Sequence, residues 1–268
     1  EYIRKYKLNL INTLPAFSHV DVSDQNNFER EKMVVGNRVM SLADYKEATL
    51  YRWLFMFAHY LGYLQYIARF LKNYKNISFK DFYHDLMFFA GNSEHSKFLM
   101  DEINITKKSI SNVINSLGPW GRVIKEIRPN FAWDFEEATA IKIVNNKKIF
   151  YQEIKFFLER YNLEEEIIDD LIKYQKNTII DPTKKYPINE KFKYNFYEAI
   201  NFSKKFKRIN KVYQILGKNY DGNIFEWGKE TLWWGRRVAA CKAKIKEANK
   251  NLIFNKKDEF VLESFDKR

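Results

Sequence analysis

Apolar residues in this chain recur mostly at three- and four-residue spacing, the period of helices packed on one face, and alternation is confined to short stretches. Ser41 before Leu42-Ala43-Asp44 has the form of a capping box, and the helix it opens runs to about Leu71 with a break at Gly62. Ser78 with Asp81 opens another, with Phe82, Leu86 and Phe89 on one face and an end near Gly91. A third spans Glu94 to Ser116 with a weak point near Asn104, and Gly118-Pro119-Trp120-Gly121 makes a turn after it. Asp134 with Glu137 caps the next; helices follow over Phe150–Tyr161 and from Asn162, with Glu165, through Lys176.

Strand signals are sparse. Met33-Val34-Val35 and Arg38-Val39-Met40 flank Gly36-Asn37 as two extended pieces around a turn. After Pro182 and Pro187, Phe192, Tyr194 and Phe196 alternate with polar residues, and Ile209 to Gln214 fits a second strand, with helical readings of both still open. A helix from Phe225 through Ala248 follows. The expected fold is mainly α, with a few short strands near the N-terminus and in the C-terminal third. Residues 1–40 read as an extended connection from a preceding domain, 41–180 as a helical domain, and 181–268 as a basic mixed segment packed on it.

Composition narrows the function. The 268 residues are 46% hydrophobic and 17% aromatic, enough for a sizeable core. The most apolar stretch, Trp53 to Ala68, is too short to span a bilayer and contains His59 and Gln65, so it reads as a core helix. The first residues lack the apolar core of a secretory signal, which makes the cytoplasm the default compartment. Cys241 is the single cysteine, so the chain by itself cannot form an internal disulfide, a four-cysteine zinc site or a cysteine-held iron–sulfur cluster.

The net charge of +12 is localised: Lys184–Lys250 holds 17 Lys and Arg against 6 Asp and Glu. Basic residues interleaved with aromatics suit nucleic acid. Lys predominates over Arg, however, and bidentate phosphate and base contacts favour Arg, so a solvated face or a docking surface is the stronger reading. The catalytic inventory is thin. His19, His59, His84 and His95 show no metal-binding spacing, and the acidic run Glu164 to Asp170 opens a helix, where carboxylates favour the dipole and solvent. His59 reads first as a hydrogen-bonded core residue. Phosphate loops and nucleophile elbows are missing from the sequence.

One string is denser in interface-prone residues: Glu230-Thr231-Leu232-Trp233-Trp234-Gly235-Arg236-Arg237. The indoles pack into a partner or into the chain's own core, and the guanidinium groups suit carboxylates or phosphates. Together with Phe28-Glu29-Arg30-Glu31-Lys32-Met33-Val34-Val35, Met40-Ser41-Leu42-Ala43-Asp44-Tyr45, Phe131-Ala132-Trp133-Asp134-Phe135-Glu136-Glu137-Ala138 and Phe150-Tyr151-Gln152-Glu153-Ile154-Lys155-Phe156-Phe157-Leu158, it resembles the region after the barrel in radical S-adenosylmethionine enzymes with an N-terminal cobalamin-binding domain.

The resemblance implies a C-terminal accessory module, capping substrate or docking on other domains and not catalytic in isolation. It implies no cofactor in this chain, and a parent enzyme using a 4Fe–4S cluster, S-adenosylmethionine and, in many relatives, cobalamin for methyl transfer. The partners implied are the radical barrel and the cobalamin domain of that parent. The cluster's Cys-x-x-x-Cys-x-x-Cys loop does not occur here. On this reading Trp233, Trp234, Arg236 and Arg237 form the domain contact, with His19 and His59 as substrate-side groups. The alternative is an independent basic module that binds nucleic acid or another protein.

Overall fold

The computed structural model describes residues 1–13, 19, 21, 30–118, 120–202 and 204–233, with the backbone of 244–247. It is mainly α, with seven helices of eleven residues or more among the described residues, and short strands lie at the two ends expected. No helix among the described residues is long and apolar enough to cross a membrane.

A short helix α1 (Tyr2–Tyr6) leads into β1 (Asn9–Thr13), which pairs antiparallel with β2 (Glu31–Gly36). The expected partner, Arg38–Met40, is instead a bend. Asn37 Oδ1 accepts the N–H groups of Val39 and Met40, which turns the backbone before it can extend, and the ladder partner comes from the chain's start. Ser41 and Asp44 form the capping box of α2 (Leu42–Phe55). The helix then widens into a π-helical turn (Met56–Tyr60), and Gly62, at φ 92°, reverses the chain into α3 (Gln65–Lys75). The break expected at Gly62 is thus a π turn followed by a left-handed glycine.

Helix α4 (Phe79–Asn92) is capped by Ser78 and buries Phe82, Leu86 and Phe89; α5 (Lys97–Ile114) runs without a break at Asn104. The α5 start is closed from a distance: Glu153 Oε1 and Oε2 accept the Phe98 and Leu99 N–H groups at 2.6 and 3.0 Å. Two-residue strands β3 (Arg122–Val123) and β4 (Ala132–Trp133) pair ahead of α6 (Phe135–Asn145), which Asp134 and Glu137 cap reciprocally. Helices α7 (Lys147–Glu159) and α8 (Glu165–Asn177) follow; Asn162 takes a left-handed φ of 51° in the turn, so Glu164 rather than Asn162 stands at the start of α8.

Most of these helices bury one stripe, as Leu99, Ile103, Thr106, Ile110 and Val113 do on α5. Helix α6 is different: every residue from Phe135 to Ile141 is buried. It is the central rod, packed by α2, the π turn, α7 and by α10 (Ile224–Thr231). Polar residues on it are therefore forced indoors and must find partners.

The basic segment forms a three-stranded antiparallel sheet, β5 (Ile188–Tyr194), β6 (Arg208–Leu216) and β7 (Lys244–Glu247), in that order, with helix α9 (Phe196–Asn201) between the first two. The helix expected over 225–248 ends at Thr231, and 244–247 pairs with β6 instead. The alternation of polar Lys with Ile in Lys244-Ile245-Lys246 suits an edge strand as well as a helix face, and pairing to β6 satisfies its backbone groups.

The acidic start of α8 holds this sheet rather than simply facing solvent. Glu166 takes Lys193 Nζ at 2.7 Å, Arg208 at 3.0 Å and the Tyr194 hydroxyl at 3.0 Å. Asp170 accepts the N–H groups of Lys193 and Tyr194 at 2.8 and 3.0 Å. Hydrogen bonding from Lys193, then from Tyr194, lowers the Glu166 pKa, whereas burial raises that of Asp170. Part of the +11 excess of this segment is thus engaged inside the chain.

Candidate functional site

The N-terminal turn of α6 collects residues from both ends of the chain. The His19 N–H donates to the Ala132 carbonyl at 2.6 Å, and Asp21 makes a single antiparallel bridge with Phe131, so this part of the N-terminal segment lies along β4. With its backbone at φ 68°, His19 points its ring inward, where Nε2 lies 2.6 Å from Glu137 Oε2. Both side chains are almost wholly buried, and a buried imidazole–carboxylate pair is far more strongly coupled than one in water.

Trp233 follows α10 and covers the other side of that imidazole. The two rings are 4.6 Å apart, and Phe131 meets Trp233 edge-on at 6.3 Å. Beneath them Trp133, fully buried, packs against Phe131, Phe225 and the His19 ring. Gly228 of α10 lets the helix approach: a Cβ there would stand 2.8 Å from Trp133 Cη2. The indole Nε1 atoms of Trp133 and Trp233 are buried without a hydrogen-bond partner among the described residues.

Next to Glu137 in the first turn of α6, Glu136 is also buried, 3.6 Å from the half-exposed Arg52 guanidinium. Burial, then the neighbouring Asp134 carboxylate, pushes the Glu136 carboxyl up to about 7, with Arg52 opposing. It therefore changes charge near neutral pH. Deeper still, Thr139 donates to Glu102 at 2.7 Å and accepts from Trp53 Nε1 at 3.1 Å, while Arg122 binds the Glu102 carboxylate in fork geometry at 2.6 and 2.9 Å. The whole arrangement fastens the N-terminal segment, β3 and α10 to α6, and holds one carboxyl poised to exchange a proton.

Of the six residues proposed from sequence, His19 and Trp233 are brought together here. His59 is placed elsewhere, on the π turn, where it is half-buried, stacks on Phe55 at 4.8 Å and hydrogen-bonds Tyr83 Oη at 2.9 Å through Nδ1. Trp234, Arg236 and Arg237 lie outside the described residues, as does Cys241. Sequence reasoning used Glu137 only as a cap and passed over Glu136, Glu102 and Arg122. A signal existed: Glu136 and Glu137, between Trp133-Asp134-Phe135 and Ala138-Thr139-Ala140-Ile141, lie in a largely apolar stretch, the mark of acids carried into a core. Among the described residues no three His, Cys, Asp or Glu side chains are grouped for a metal. No protein family and no curated protein matches this chain.

Proposed function

We propose that this chain is the C-terminal accessory module of a cobalamin-dependent radical S-adenosylmethionine enzyme, capping the substrate opening or docking on the preceding domains, with no catalysis of its own. One observation carries the reading. The segment Phe131–Ala138, one of those that carry the resemblance, forms the seat on which His19 and Trp233 meet, although the two are at opposite ends of the chain. Such convergence is what a contact face needs, because a surface that seals a radical site must keep its shape against a partner. In this reading the radical barrel and the cobalamin domain are the partners, and the cluster, S-adenosylmethionine and cobalamin belong to the parent protein. Trp233, with Trp234, Arg236 and Arg237, faces the partner, and His19 holds Trp233 in place.

The test is association with the barrel encoded by the upstream reading frame, expressed as a separate chain. Binding to the intact module, weakened about tenfold or more by Trp233→Ala, agrees with the proposal. Equal binding by the variant removes the contact role, and an upstream frame without a Cys-x-x-x-Cys-x-x-Cys loop removes the parentage.

A further inference from the structure

Not all of the positive excess in the basic segment is engaged. From Ala199 to Tyr220 the chain has no acidic residue, and its densest basic run, Lys204-Lys205-Phe206-Lys207-Arg208, leads from α9 into β6. Arg208 is taken by Glu166. Lys204, Lys205 and Lys207 are exposed and have no ion pair among the described residues. Glu198, the acid nearest in sequence, turns to Tyr213, whose hydroxyl donates to Oε1 at 3.1 Å. The C-terminal end of the short helix α9 supplies about half a negative charge, which offsets only a fraction of three ammonium groups.

A solvated run of lysines needs no fixed shape, yet this one is pinned. Asn195, 3% exposed, donates its N–H to the Lys207 carbonyl at 3.1 Å, accepts the Lys207 N–H on Oδ1 at 2.7 Å and donates from Nδ2 to the Lys205 carbonyl at 2.9 Å. The Lys204 N–H donates to the Glu198 carbonyl at 3.3 Å. Phe206 is wedged inward, its ring 4.9 Å from Phe70, 5.0 Å from Tyr74 and 5.1 Å from Tyr194, which leaves Lys205 and Lys207 on the surface at either side of it. Two exposed rings flank the run. Tyr74, 46% exposed, is the one that meets Phe206 from α3, and α3 lies against α9 where Asn73 Nδ2 donates to the Ala199 carbonyl at 3.4 Å. Phe202, 41% exposed, follows α9, with Lys204 Nζ 5.9 Å from the centre of its ring.

We propose that Tyr74, Phe202, Lys204, Lys205 and Lys207 form a binding surface for single-stranded nucleic acid. The lysines meet successive backbone phosphates, and the two rings offer faces on which unpaired bases stack. A duplex keeps its base faces stacked inside, so only a single strand uses both features. The predominance of Lys over Arg, which counts against base-specific contacts, suits this mode, because phosphates are met by point charges and stacking accepts any base. Pinning by Asn195 and Phe206 holds the lysine backbone in place before a strand arrives, which reduces the ordering cost of binding. This surface shares no residue with the seat of His19 and Trp233 and does not depend on the accessory-module reading.

Fluorescence anisotropy of the full chain tests it, with a labelled single-stranded oligonucleotide of mixed sequence, the duplex of the same sequence, polyglutamate and phosphatidylserine vesicles as separate probes over a range of salt. The single strand is expected to bind more tightly than the duplex. Phe202→Ala should weaken it about fivefold or more, and Lys205→Gln with Lys207→Gln should lower the slope of log affinity against log salt by about 0.7 for each lysine removed. The lysine substitutions leave the backbone bonds to Asn195 in place, so the fold should survive them; circular dichroism verifies this. No binding of the single strand at low salt, a duplex bound as tightly, an unchanged salt slope in the folded lysine variant, or binding of polyglutamate or vesicles without the oligonucleotide overturns the proposal.

Discussion

His19 and Glu137, 118 positions apart, meet at 2.6 Å in an almost fully buried pair, and Glu137 Oε2 at the same time accepts the Asp134 N–H at 3.2 Å. One carboxylate thus caps α6 and anchors the N-terminal segment. His19→Ala should destabilise the fold by about 2–4 kcal/mol, since it leaves a buried carboxylate without its main side-chain partner. Urea denaturation measures this, and a loss under about 0.5 kcal/mol, as at an ordinary surface position, would show that the pair is not a tether.

Glu136 makes stability depend on pH. Its carboxyl ordinarily titrates at 4.5 and is pushed up to about 7 in the fold, so the folded chain holds that proton more tightly than the unfolded chain. The stabilisation is complete below about pH 4.5 and drains away as pH rises through 7. Glu136→Gln should therefore be more stable than the native chain at pH 8, by up to about 3 kcal/mol, with the difference shrinking towards pH 5. Melting curves across that range decide it, and parallel curves at every pH would refute a raised carboxyl.

Gln175, fully buried, closes the break after the π turn. Its Oε1 accepts the Tyr66 and Ile67 N–H groups at 2.9 and 3.3 Å, and its Nε2 donates to the Gly62 carbonyl at 2.8 Å. Replacing it by Leu orphans donors at the start of α3 and should cost about 2–3 kcal/mol. Hydrogen exchange at Tyr66 and Ile67 should accelerate more than in α5. Uniform acceleration through the chain would mean that Gln175 matters only to global stability.

Gly228 fixes how closely α10 approaches Trp133. In Gly228→Ala the new methyl meets a rigid indole at 2.8 Å, so a loss of about 1–3 kcal/mol is expected although alanine is the better helix former. Trp133→Phe in the same chain should recover part of it. A variant as stable as the native chain would show that α10 can slide, and Trp233 with it.

How much of this was legible can be read from individual elements. The starts of α2, α4 and α6 were visible because Ser41–Asp44, Ser78–Asp81 and Asp134–Glu137 close hydrogen bonds three residues apart, which depend on no other part of the chain. The break at Gly62 was visible because glycine tolerates the positive φ it adopts. The strand at 244–247 was not visible, because alternating Lys and Ile fit two geometries and only the neighbouring strand selects one; nor was the partner of β2, because Asn9–Thr13 carries no alternation and is extended by its pairing.

At the site, His19 and Trp233 could be singled out as residue types but not as neighbours. Their meeting depends on α6 being buried on every side, which only the packing of α2, α7 and α10 around it creates. The sequence by itself determined the helical class, the caps and the lack of a cysteine set, since these rest on composition and short-range chemistry. Tertiary structure alone decided that Glu136 and Glu137 are interior carboxylates and that His19 reaches one of them. Burial and long-range charge proximity are properties of the packed chain, and no local pattern records them.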